Sequence, residues 1–249
     1  MFALAKKNKR MIQKAIMTLA ALFVFCVSQA QTSAQAFLER YDLSYTVINP
    51  DTVPTDEVYS WWPEAQKSEW LSYGNEPMAD RWLHRPEPLG FRGTNFQRFY
   101  IYFDTVYKLS PDIYHLEAHS KCKDESCQIQ GEIVIDSVVP GNAQTGTIFA
   151  NYELVALKNS KAVARLFGTS KYNYLLHNDS IYYDAMDMIA DGFMNNQYTG
   201  KWIYRASDDS ITCNWGDFRI PESQGLDIGT GMFMPNEKYF LFGWKSFFD

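Results

Sequence analysis

The stretch Asp112–Val138, "DIYHLEAHSKCKDESCQIQGEIVIDSV", decides the fold class, because apolar and polar residues alternate with the period of a β-strand on both sides of a polar turn. With Lys123 to Ser126 as a four-residue loop, Cys122 lies opposite Cys127, Ser120 opposite Ile129, Ala118 opposite Gly131, Leu116 opposite Ile133 and Tyr114 opposite Ile135. That face is largely apolar. The other carries His119 with Gln130, Glu117 with Glu132, and His115 with Val134. A slip of one residue would exchange the faces, so hydrophobicity specifies which side is buried.

The same register makes Cys122 and Cys127 neighbours, and in an oxidising compartment a disulfide between them is expected. Closing so short a loop stabilises by about 2–3 kcal/mol at most. Cys213 is the third cysteine beyond residue 30, and its pairing with Cys122 or Cys127 is the alternative. A metal is a weaker reading of the stretch. Residues four apart on a strand are separated by about 13 Å, from a rise of roughly 3.3 Å per residue. A tetrahedral zinc needs its ligands about 2 Å away, so His115 and His119 do not share one. Glu117, His119 and Glu132 are the remaining candidates, weighed against a solvated face that needs no ion.

Outward from this hairpin the period of two continues. Phe99, Ile101 and Phe103 alternate with Arg98, Tyr100, Tyr102 and Asp104 on a strand over Phe96–Val106. Turns are marked by "LSPD" (Leu109–Asp112), Pro140-Gly141, "HNDS" (His177–Ser180) and "ASDDS" (Ala206–Ser210), with strands between them. Frequent strands without helical crossovers imply a mainly β protein, an antiparallel sandwich or barrel with short N-terminal helices. The β domain is expected over 95–249, and an irregular segment packed on it over 31–94. In that segment Pro63–Tyr73 and Pro77–Arg85 read as helices, opened by proline and stopped by Gly74 and Pro86. The aromatic tail "NEKYFLFGWKSFF" is expected to dock on the body.

Residues 1–30 contain five basic groups, no acidic group and a 13-residue apolar run from Ala15 to Val27, ending in "SQA". This reads as a secretory signal cleaved after Ala30, with Met1 or Met11 as the start. The run is too short to span a bilayer, so no transmembrane span is expected in the mature chain. Phe25 precedes Cys26 where a lipoprotein signal carries a small residue, so lipidation is not expected. Export, to the periplasm, the outer membrane or the exterior, follows. Taking five from the chain's 23 basic residues leaves 18 against 29 acidic ones, a formal charge of −11 beyond residue 30. Nucleic acid is a poor partner for such a chain, since its recognition rests on Lys and Arg neutralising phosphates.

No nucleophile elbow, zinc-protease helix, phosphate loop or dinucleotide fingerprint occurs, and no cofactor is implied. "TGKW" (Thr199–Trp202) matches the Gly-x-Trp of lipocalins but stands too near the C-terminus to open an eight-stranded barrel. The sharpest binding reading is the aromatic strip of Arg98, Tyr100, Tyr102 and Asp104, suited to stacking on sugar rings. The alternative, favoured because monomers seldom leave a large apolar patch open, is that the N-terminal helices or the aromatic tail cover that face.

"NNQYTGKW", "TCNWGDFRIP", "LDIGTG" and "MPNEKYFLFGW" resemble the C-terminal part of a group of uncharacterised secreted proteins and lipoproteins of Bacteroidetes-type bacteria. The resemblance covers about sixty residues and implies an exported protein without implying an activity. The expectation is a non-catalytic binding or interaction module of the bacterial envelope or exterior, with a glycan or another envelope protein as its partner. The alternatives are a secreted hydrolase using paired carboxylates or Cys213, and a lipocalin-like carrier of an apolar small molecule.

Overall fold

A computed structural model describes residues 33–50, 88–185 and 190–248. The expected signal segment and the helices at Pro63–Tyr73 and Pro77–Arg85 lie outside the described residues. The chain divides into two units, one ending at Arg40 and one spanning Tyr41–Asp249. Residues 33–40 of the first are helical.

The second unit is built on ten strands: β1 (Leu89–Arg92), β2 (Gln97–Arg98), β3 (Tyr100–Ser110), β4 (Ile113–Cys122), β5 (Glu125–Pro140), β6 (Thr145–Lys158), β7 (Lys161–His177), β8 (Ser180–Tyr183), β9 (Asn195–Tyr204) and β10 (Ser210–Asp217). They form one antiparallel sheet in the order β2-β1-β10-β9-β7-β6-β5-β4-β3, with β8 sharing an edge of β7 with β9. The meander from β3 to β8 follows from tight turns. Asn159 and Ser160 have φ of 50° and 60°, and Asn178 and Asp179 have 47° and 60°, the left-handed pair whose twist matches the flanking strands.

The sheet begins earlier than Asn95, because β1 pairs with β10 from Leu89↔Gly216 to Arg92↔Cys213. β2 and β3 stand at opposite ends of the strand order, yet only Phe99 separates them in the chain. The sheet therefore curls into a half-barrel, with its first and last strands joined by one continuous segment. The Phe99 amide donates to the Gly90 carbonyl at 2.9 Å across this seam. A Cβ on Gly90 would lie 2.8 Å from the Phe99 carbonyl oxygen and 3.0 Å from Trp215 Cβ. Only a residue without a side chain fits.

Inward-facing rings fill the curl. Tyr198 stacks on Trp215 with centroids 4.7 Å apart and planes 12° apart, and Tyr152 meets them edge-on at 5.8 and 5.3 Å. Phe99 reaches Trp202 and Trp215 at 6.0 Å, while Phe103 and Tyr172 each meet Tyr198 at 5.7 Å. Gly200 and Trp202 of "TGKW" both serve this core: Trp202 is fully buried, and Gly200 leaves room for the Tyr152 hydroxyl. A π-helical turn at Ser44–Ile48 buries Val47 and Ile48. Asn196 Nδ2 ties it to β9 by donating to the Val47 and Ile48 carbonyls at 2.9 and 3.2 Å. The tail docks as expected, with Trp244 packed among Leu89, Phe91, Ile220, Leu226 and Phe233 and its Nε1 donating to the Phe96 carbonyl at 2.6 Å.

The β4–β5 hairpin corrects the expected register while keeping its faces. Lys123 and Asp124 alone form the turn, with Lys123 at φ 53°, so Cys122 pairs with Glu125 and Ser120 with Cys127. The shift is two residues, which preserves the inward and outward sets and is invisible to hydrophobic alternation. The expected Cys122–Cys127 disulfide is absent: both thiols are unbonded, as is Cys213. Diagonal neighbours lie about 7–8 Å apart, beyond the usual Cα separation of a disulfide, roughly 4.4–6.8 Å.

Replacing Gly90 by Val is expected to lower the urea midpoint through a loss of about 1–3 kcal/mol from overpacking at the seam. Trp215→Ala should cost about 3–5 kcal/mol. A Gly90→Val protein as stable as wild type would contradict the closure through Phe99.

Candidate functional site

β3, β4, β5 and β6 present their outward side chains on one side of the curled sheet, and near the Asn159-Ser160 turn they enclose an open groove of about 930 Å³. Tyr100 and Tyr102 of the expected strip line it, together with His119, Lys121, Gln128 and Lys158. Antiparallel pairing sets Tyr102 beside His119, whose rings stack at 5.2 Å with planes 20° apart. Asp104, next on the same strand face, accepts from His119 Nδ1 at 2.8 Å. A carboxylate on Nδ1 fixes the ring's orientation and leaves Nε2 as the atom that a ligand can meet.

The strip is divided by the tail. Arg98 is buried, its guanidinium 4.5 Å from the centre of the Tyr100 ring and 5.4 Å from that of Trp244, and its Nη1 donates to Ser246 Oγ at 2.9 Å. Arg98 anchors the tail instead of facing outward, because Lys245–Phe247 and the residues before it fold over the start of β3. Tyr100 sits at the margin, its hydroxyl 3.4 Å from Ser246 Oγ. Tyr102 and Asp104 remain beside the open groove.

The metal candidates are not brought together. Glu117 faces Gln130, Glu132 faces His115, and His119 faces Gln128 and is held by Asp104. The two-residue register shift separates Glu117 from Glu132 and removes the repulsion that made a cation attractive there. Among the described residues no three His, Cys, Asp or Glu side chains converge on one point.

Cys213 is fully buried, and that burial drives its thiol pKa far above the ordinary value. It lies opposite Arg92 in the β1–β10 register. Arg92 was hidden from sequence reasoning, since it falls in the segment read as irregular and its partners are distant. Its Nη2 forms a 2.7 Å ion pair with Glu125, and its guanidinium sits 4.6 Å from the centre of the Trp202 ring. Burial alone would lower the Arg92 pKa, but Cys122, Glu125 and Tyr204 outweigh it and hold the guanidinium charged. Burial likewise raises the Cys122 and Cys127 thiols, with Arg92 opposing it in both.

A second cleft, of about 570 Å³, lies farther along the outer face between Phe149, Met194 and Pro221, with the Thr169 and Thr199 hydroxyls 2.9 Å apart in its floor. The arrangement as a whole is a curled antiparallel sheet with a ring-filled interior and an open aromatic groove outside. No family model, curated protein or solved structure matches the chain. No described helix is long and apolar enough to cross a membrane.

Two outcomes test these assignments. A thiol whose folded-state pKa is raised contributes stability that is present below its unfolded value, near 8.5, and is lost as pH rises beyond it. Under reducing conditions stability should therefore fall above about pH 8.5, by up to about 1.4 kcal/mol per pH unit for each buried thiol. Cys213→Ala should flatten that slope, as read by urea titrations at successive pH values. Removing the guanidinium in Arg92→Met should cost about 2–4 kcal/mol, because it leaves Glu125 unpaired and uncovers Trp202. A smaller loss in Arg92→Met/Glu125→Gln would show that the unpaired acid contributes.

Proposed function

We propose that this chain is an exported, non-catalytic binding module of the bacterial envelope or exterior, and that a glycan occupies the groove beside Tyr102. The observation that carries this reading is the Tyr102–His119–Asp104 arrangement: a ring immobilised by stacking, next to an imidazole fixed by a carboxylate, on the wall of an open groove. Sugar rings present apolar faces edged with hydroxyls. A held aromatic ring meets the face, and His119 Nε2, Gln128 and the neighbouring hydroxyls meet the edges. The leader-like first thirty residues support export.

Two of the rival readings fare less well. A thiol hydrolase needs an accessible, low-pKa cysteine, and Cys213 is buried with its pKa raised. A lipocalin-like carrier needs an empty interior, and here the curl is occupied by Tyr152, Tyr198, Trp202 and Trp215.

A glycan array and polysaccharide pull-down with wild type and Tyr102→Ala tests the proposal. Tyr102→Ala is expected to weaken binding about tenfold, the equivalent of about 1.4 kcal/mol, with an unchanged unfolding midpoint. Binding indifferent to Tyr102 would remove the groove as the site.

A further inference from the structure

The groove's charge runs against that of the chain. Beyond residue 30 acidic groups outnumber basic ones by 29 to 18, yet the groove lining contains Lys121, Lys158 and His119 and no aspartate or glutamate. Lys121 reaches the wall from the end of β4, opposite Tyr100. Lys158 stands at the end of β6 directly opposite Lys161 across the two-residue turn. Like charges facing each other on a hairpin are unfavourable, and no carboxylate relieves them. Among the described residues Lys121, Lys158 and Lys161 form no hydrogen bond or ion pair with another side chain. The nearby acid Asp104 is taken up by His119.

We propose that the groove selects polysaccharides bearing oxyanions, carboxylated or sulfated, over neutral ones. The inference rests on the glycan reading of the same groove and names the class of glycan. The ring of one residue stacks on Tyr102. Its oxyanion lies between Lys121 and the Lys158–Lys161 pair, and Ser126, Gln128, Asn159 and Ser160 supply neutral partners for hydroxyls. An anion placed there removes the repulsion between Lys158 and Lys161, so the site is stabilised on filling. The chain's overall negative charge does not prevent this, because at physiological ionic strength charges farther than about 8 Å away are largely screened. Lysine also suits a ligand whose anionic groups vary in orientation, since its three donors rotate on a flexible stem.

Affinity electrophoresis and calorimetry with the full chain separate the possible outcomes. The probes are polygalacturonate for carboxylate, chondroitin sulfate for sulfate, laminarin as a neutral glycan, and polyglutamate as an anion without sugar rings. The expected result is binding of one or both acidic polysaccharides at least tenfold tighter than laminarin or polyglutamate. Lys121→Gln/Lys158→Gln should reduce that affinity about tenfold, several times more than it reduces laminarin binding, without lowering the unfolding midpoint. Tyr102→Ala should weaken every glycan. Laminarin binding as tight as the acidic chains, and still dependent on Tyr102, would overturn oxyanion selection while leaving the glycan reading standing. Polyglutamate binding as tight as polygalacturonate would overturn recognition of sugar. Failure of all four probes to bind would overturn both.

Discussion

The hydrogen bond from Phe99 to Gly90 stands for the constraint on which the rest of the molecule depends. β2 and β3 are one run of chain interrupted at a single residue, yet they occupy the two ends of the strand order. A flat sheet cannot satisfy that, since its ends would lie tens of ångströms apart at about 4.8 Å per strand. The sheet must curl, and Gly90 removes the side chain that would hold the seam open. The right-handed twist of long antiparallel strands supplies the curvature.

Curling determines where function can reside. Along the curl, β1, β10, β9, β7, β6, β5, β4 and β3 follow one another, and a curl of about eight strands has an interior just wide enough for side chains to fill. Here tyrosine and tryptophan fill it, and their stacked and edge-on contacts leave the inside to packing. That leaves the outer face for any ligand, and there the tail covers one part and leaves the groove beside Tyr102 open. The same closure brings Arg92 of β1 against Glu125 of β5 and the ring of Trp202, so a charge pair bridges strands that do not pair with each other. Cys122, Cys127 and Cys213, none of them in a disulfide, are inward residues of the curl and serve as small apolar groups.

Most of the strands and turns beyond Asn95 are legible in the sequence, and so are the buried faces of β4 and β5, whereas β1, the break at Phe99 and the burial of Arg98 are not. What is legible is local: alternation is read over a few residues, and side chains on a strand point to opposite faces whatever their partner. Tyr114, Leu116 and Ala118 are buried as their spacing required, and Glu117 and His119 are exposed. The pairing register is a long-range property, because a two-residue slip at Lys123-Asp124 keeps every face and changes every partner. That slip separated Cys122 from Cys127 and Glu117 from Glu132. It also took the curl to bury Arg98 under the tail while leaving Tyr102 half-buried on the groove wall, and to bring Lys121 and Lys158, 37 residues apart, to one groove. Parity along a strand is a property of the backbone and survives in the sequence. Proximity between strands depends on turn length, twist and the meeting of the sheet's two edges, and no single stretch of residues encodes it.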